Sequence, residues 1–128
     1  MDKNKITDFT DLNTWKINHE LVLMIYKISS NFPQSERFGL ASQIQRAAVS
    51  ITSNIAEGFG RHSYKEKTQF YYMAQGSLTE VKNQLIIARD LNYVDQAVYA
   101  YILSKIDTAT RLLQGLIKSS KSFIIRKR

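Results

Sequence analysis

Cysteine is absent from this 128-residue chain, which removes disulfides and thiolate chemistry together and leaves stability to a packed core or to subunit association. Proline occurs once, at Pro33, and glycine five times, so long segments run without the residues that break helices. Histidine occurs twice. His19 and His62 are not at ligand spacing from each other, and no Asp or Glu precedes either by three positions. The Glu-x-x-His pairs of a di-metal bundle and the ligand set of a zinc site are therefore both missing. No metal and no cofactor is expected. No apolar run approaches the ~20 residues that a membrane span needs, and residues 1–11 are polar and acidic where a secretory leader is basic and then apolar. A soluble, cytoplasmic protein without a membrane partner is the expectation.

Catalytic signatures are scarce as well. Gly58-Phe59-Gly60 has no third glycine at Ser63, no strand before it and no Gly-Lys-Ser/Thr behind it, so it reads as a helix end and not as a nucleotide loop. No serine or threonine has a histidine and an acid in local array. We identify no catalytic residue and expect no enzyme.

What the chain does contain is helical periodicity. The stretch QIQRAAVSITSNIAEGFGR, residues 43–61, places Ala41, Ile44, Ala48, Ile51 and Ile55 at alternating steps of three and four, the spacing of a buried seam. Ala47, Ser50, Ser53, Ala56 and Gly58 keep this helix thin enough for close neighbours. Before it, a loose lead-in over residues 1–10, anchored by Ile6 and Phe9, passes through a cap at Thr10 or Asp11 into a first helix. That helix carries two apolar stripes, and Asn31-Phe32-Pro33 stops it. Ser35 caps the second helix, with Glu36 complementing the positive end of its dipole, and Gly58 and Gly60 end it. Ser63 and Glu66 form a capping-box pattern that opens a third helix to about Leu91. Its mid-helix Gly76 is read as a point of close packing. Asn92-Tyr93 breaks it, and Asp95 caps a fourth helix. Short turns between successive helices give an all-α, antiparallel, up-down-up-down four-helix bundle over residues 1–117. Surplus apolar faces on the first two helices predict a homo-oligomer.

The formal charge is +7, from 18 Lys and Arg against 11 Asp and Glu. Lys118, Lys121, Arg126, Lys127 and Arg128 supply five of the cations with no acid among the last eleven residues, so residues 1–117 carry only +2. Residues 118–128 are read as a basic tail that could track a nucleic-acid backbone, lie on an anionic membrane or stay disordered. Its Phe123, Ile124 and Ile125 suit docking onto the body or a neighbour, since a purely electrostatic arm needs no apolar residues. A second basic cluster, Arg61, His62, Lys65 and Lys67 interleaved with Tyr64, crowds the start of the third helix, where free N–H groups favour phosphate. A polar stripe of Arg46, Ser50, Asn54, Glu57 and Arg61 runs along the second helix; if it meets Glu80 of the third helix, Arg46, Asn54, Glu57 and Glu80 are read as a hydrogen-bonded network in which Arg46 offsets Glu57 or Glu80 and fixes register.

The runs FGLASQIQRAAVSITSNIAEGFGR, GSLTEVKNQLIIARDLNY and FTDLNTWKINHELVLMIYKISSNFP together resemble the four-helix-bundle family named for proteins encoded in intervening sequences of bacterial 23S ribosomal RNA genes. Thr52 departs from it, since the family usually carries proline there. The resemblance implies a bundle that assembles as a homo-oligomer, a pentamer, without established catalytic activity. A similar basic bundle accompanies the reverse transcriptase of diversity-generating retroelements, which suggests a reverse transcriptase as a partner by analogy of fold and charge. The expected function is binding of RNA or DNA, with little sequence preference, through Arg61, Lys65, Lys67, Lys118, Lys121, Arg126, Lys127 and Arg128. The alternative is a structural or protein-interaction scaffold without nucleic-acid affinity. Deleting residues 118–128 is expected to leave the bundle folded.

Overall fold

The structure is a computed structural model that describes residues 5–126, with side chains through residue 124. Lys127 and Arg128, and the side chains of Ile125 and Arg126, lie outside the described residues. Four α-helices follow in order: α1 (Asn13–Ser29), α2 (Leu40–Phe59), α3 (Tyr64–Asp90) and α4 (Gln96–Arg126), with single 3-10 turns at Phe9–Asp11 and Gln34–Glu36. No strand occurs among the described residues. Each helix packs on its two neighbours around a square: α1 on α2 and α4, α3 on α2 and α4, with no contact across either diagonal. This is the antiparallel four-helix bundle that the four apolar seams require. Ile25, Ile44, Ile51, Ile55, Val81, Leu85 and Leu113 are fully buried along its axis, each aliphatic contributing about 1.5–3 kcal/mol on leaving water.

Several ends follow from the residues that sit there. Ser63 accepts from the Glu66 N–H at 3.1 Å and caps α3, and Asp95 Oδ1 accepts from the Ala97 N–H at 2.8 Å and caps α4. Asn92 closes α3 in the left-handed region at φ 62°, which asparagine tolerates better than other side chains. Two starts differ from expectation. Leu12 precedes α1 without a side-chain cap, because Asp11 closes the preceding turn instead, accepting from the Thr7 and Asp8 N–H groups at 3.0 Å. Helix α2 begins at Leu40 and not near Ser35, since residues 34–36 form a separate 3-10 turn. Glu36 Oε1 then reaches the Leu40 N–H at 3.1 Å, while its Oε2 accepts from the Tyr93 hydroxyl at 3.0 Å. That second bond, and the Phe32 and Tyr93 rings at 5.5 Å, join the α1–α2 turn to the α3–α4 turn at one end of the bundle.

The glycines also sort differently. Gly58 lies in the last turn of α2, and a Cβ there would meet the Tyr71 ring at 2.7 Å and Phe70 Cβ at 2.9 Å, so it permits the close approach expected of the small residues of α2, while Gly60 ends the helix. Gly76, expected at a close contact, is exposed with nothing within 4 Å of an added Cβ.

Helix α4 runs without a break through residues 117 and 118, where a basic tail was expected to begin. Ser120 is 4% exposed, with Oγ 2.7 Å from Thr68 Oγ1, and Phe123 stacks on Tyr64 at 4.7 Å. Residues 118–124 therefore belong to the packed α3–α4 pair. Thr14 Oγ1 bonds the Leu112 carbonyl at 3.2 Å, so the four or so turns of α4 beyond Leu112 reach past the start of α1.

Candidate nucleic-acid interface

The predicted basic residues fall into two groups with different fates. In the turn between α2 and α3, Arg61 pairs with Glu57 at 3.0 Å and lies over the Phe70 ring at 4.6 Å. The Lys67 ammonium donates to the Phe59 carbonyl and so caps the C-terminus of α2. It is half-buried, near the rings of Phe59 and Tyr64, and desolvation lowers its pKa. Only Lys65 of the three stands exposed without a partner among the described residues. The anion site expected at the α3 N-terminus is thereby weakened. Two of its cations serve the fold, Ser63 occupies the Glu66 N–H, and Glu66 itself places a negative charge in the first turn.

The second group lies where α4 continues beyond α1. Lys118 and Lys121 are exposed and sit one turn apart. Lys121 Nζ donates to the Tyr72 hydroxyl at 3.2 Å and lies 5.9 Å from that ring's centroid. With Gln75 of α3 and Gln114, Ile117 and Ser122 of α4, these residues line an open groove of about 420 Å³. Three ion pairs occur among the described residues, Arg61–Glu57, Arg89–Asp90 and Lys105–Glu20, and none engages Lys118, Lys121 or Lys65. The α3–α4 face therefore holds cations with no carboxylate to answer them, beside an aromatic ring that is 45% exposed. An arrangement of that kind can hold a phosphate chain electrostatically and stack an unpaired base. Tyr72, Gln75 and Gln114 were not singled out in the sequence. Tyr72 stands two helical turns from Lys65, and Gln114 four residues before Lys118, so spacing alone could have placed them on the same stripes.

The polar network keeps Asn54 and its stripe neighbour Ser50 but takes Ser77 of α3 in place of Arg46, Glu57 and Glu80. Asn54 Nδ2 donates to the Ser50 carbonyl at 2.8 Å and to its hydroxyl at 3.1 Å, and Ser77 Oγ donates to Ser50 Oγ at 2.8 Å. This joins α2 to α3 without charge. Arg46 is exposed and reaches neither Glu57 nor Glu80; Glu57 pairs with Arg61, and Glu80 accepts from Gln84 Nε2 at 3.4 Å. The expected four-residue network is therefore corrected to Asn54–Ser50–Ser77. A stripe gives the side on which a residue stands but not what stands opposite.

His19 stacks on Trp15 with centroids 4.6 Å apart. Among the described residues no three His, Asp or Glu side chains gather where they could hold a metal ion, and no helix is long and apolar enough to cross a membrane.

Comparison with known proteins agrees with this architecture. The model of the 23S rRNA-intervening sequence protein family matches residues 10–115. A crystal structure from Bacteroides thetaiotaomicron, described as a protein with unknown function from the S23 ribosomal protein family, is similar with a TM-score of 0.74. The identity is 23%, over 82% of this chain and 98% of that one. No curated protein matches.

Proposed function

The chain belongs to the 23S rRNA-intervening sequence protein family, and from that premise we propose that it is a cytoplasmic, non-enzymatic, homo-oligomeric bundle that binds the backbone of RNA or DNA. Five copies is the stoichiometry that the family resemblance implies, and a reverse transcriptase is the protein partner suggested by analogy. The observation that carries the reading is the α3–α4 groove, where Lys118 and Lys121 flank Tyr72 and no acid neutralises them among the described residues. Lys65 adds a third cation without a carboxylate partner near the start of α3, and Arg126, Lys127 and Arg128 add three formal charges at the end of the chain. One such patch binds phosphate weakly, whereas linked copies in an oligomer raise the effective concentration of the rest. Binding of this type is to the backbone, so little sequence preference is expected.

The test is titration of labelled single-stranded RNA, structured RNA and duplex DNA across a series of salt concentrations. Binding should weaken linearly in log–log form, and Lys118→Gln with Lys121→Gln should flatten the slope by about 0.7–0.9 for each phosphate that is no longer neutralised. Lys67→Gln should leave the slope unchanged, because that ammonium already serves the α2 carboxyl end. Absence of binding at ~50 mM salt, where counterion release favours it most, would replace this reading with that of a protein-interaction scaffold. The engagement of Arg61 and Lys67 within the fold is the observation that favours that second reading.

A further inference from the structure

Phe38 is 87% exposed, more than any other large apolar side chain among the described residues. It does not hang on a loose loop. Glu36 braces the turn on both sides, to the Leu40 N–H and to the Tyr93 hydroxyl, and the Arg37 guanidinium lies 5.4 Å from the Phe38 ring centroid. A ring held in water by a braced turn forgoes the burial that a phenylalanine otherwise gains.

A complementary hollow exists at the same end of the bundle. Between the last turns of α1 and the first turns of α4 lies a groove of about 390 Å³ lined by Met24, Ile28, Val98, Tyr101 and Ile102 together with Lys27 and Asn31. A cavity of about 150 Å³ suffices for benzene, so the groove has room for a phenylalanine ring. Asp95 lies at its adjoining edge. The Asp95 carboxylate caps α4 through Oδ1, and Oδ2 makes no bond among the described residues. Arg37 has no carboxylate partner among them either.

We infer that Phe38 of one copy inserts into the α1–α4 groove of a second copy, with Arg37 of the first against Asp95 of the second. This rests on the homo-oligomer reading above and names its interface. The knob stands in the α1–α2 turn and the hole lies between α1 and α4, so the two surfaces differ, the contact is head-to-tail and its repetition turns through a constant angle. A ring closed in this way buries every Phe38 and leaves no groove empty. The alternative of a two-fold pair places the same surface of both copies in contact, which a ring and a hollow on different sides do not satisfy as simply.

Light scattering during size-exclusion chromatography of the intact chain and of Phe38→Asp gives the first test, with circular dichroism confirming that both are folded. Wild type should assemble, and the variant should weaken association at least about 30-fold, the low end for a buried aromatic anchor, and elute at 14.8 kDa. A monomeric wild type would overturn the homo-oligomer reading and this inference with it. A Phe38→Asp protein that assembles as wild type does would overturn the inference alone. The second test uses the absence of cysteine. Arg37→Cys mixed with Asp95→Cys should cross-link on mild oxidation while neither does so alone, and the double variant should give a ladder that stops at the ring size. Cross-linking of either single variant with itself, to the exclusion of the mixed pair, would overturn the head-to-tail contact.

Discussion

Replacing Gly58 by alanine adds one methyl group where α2 and α3 come closest. The new Cβ would lie 2.7 and 3.0 Å from two ring carbons of Tyr71 and 2.9 Å from Phe70 Cβ, against the 3.5–4.0 Å at which carbon atoms attract best. Tyr71 is 3% exposed, so its ring has no open side to retreat into and the helices must separate. Overpacking of this kind costs about 1–3 kcal/mol, and the better helix propensity of alanine returns about 1 kcal/mol. The net expectation is a loss of about 1 kcal/mol. Gly76 and Gly115 are the controls, because an added Cβ meets nothing within 4 Å at either, and alanine there should gain about 1 kcal/mol through propensity and the reduced entropy of the unfolded chain. The swing between the two kinds of site is thus about 2 kcal/mol. Urea unfolding followed by circular dichroism measures it, with the slope m unchanged if only stability has moved. In melting temperature, each kcal/mol is roughly 3–5 °C for a domain of this size. A Gly58→Ala protein as stable as Gly76→Ala would refute the close-approach argument. Loss of stability at Gly76, present when assembled and absent on dilution, would mean that another copy fills the space left open there.

Burial pushes the Tyr71 hydroxyl up to about 12 from an ordinary 10.0. The folded chain holds that proton where the unfolded chain releases it, so the contribution is complete below pH 10 and drains away as pH rises from 10 towards 12. Stability of wild type relative to Tyr71→Phe should fall over that window by about 2–3 kcal/mol at most, as read by urea titrations at several pH values. Lys67→Met should cost about 1 kcal/mol by freeing the Phe59 carbonyl, measurable by thermal melting, with nucleic-acid affinity unmoved. Truncation after Ile117 should destabilise the bundle by about 2 kcal/mol or more, since it strips Ser120 and Phe123 from α3; melting of the truncated chain at wild-type temperature would contradict this. Lowering pH through the depressed pKa of Asp11, which accepts from the Thr7 and Asp8 N–H groups, should remove the stability present above the ordinary carboxylate value. Exchange rates of those two amides would report it.

The helices were legible wherever a local rule decides the matter. Ser63, Asn92 and Asp95 each act through their own backbone neighbourhood, so reading them needs no knowledge of the other helices. Helix α2 begins late because Glu36 is drawn to Tyr93, which is 57 residues away, and no local rule anticipates such a partner. The family resemblance reached the fold for a related reason: it encodes long-range pairings that periodicity leaves open. The candidate site was half legible. Lys118 and Lys121 stand exposed with no carboxylate partner among the described residues, but Arg61 and Lys67 are drawn in by Glu57, Phe70 and Phe59. Splitting the chain at residue 117 followed charge and ignored spacing, although Leu113, Ile117, Ser120 and Ile124 continue the inward stripe by steps of four, three and four. Gly76 and Phe38 were opaque because their exposure depends on where the other helices stand, which spacing along one helix does not give.

The Glu36 carboxylate has a temporal consequence. Its two oxygens tie the first residue of α2 to a tyrosine beyond α3, so the bond closes only after three helices have come together. Until then nothing from the far hairpin steadies the turn that carries Phe38. On the contact inferred above, folding and assembly are thereby put in sequence: a chain still incomplete offers its neighbours no well-placed ring, and a finished one does. The brace would then act as a checkpoint for completed subunits, and Tyr93→Phe should blur it by letting half-formed chains and native ones compete for the same contact.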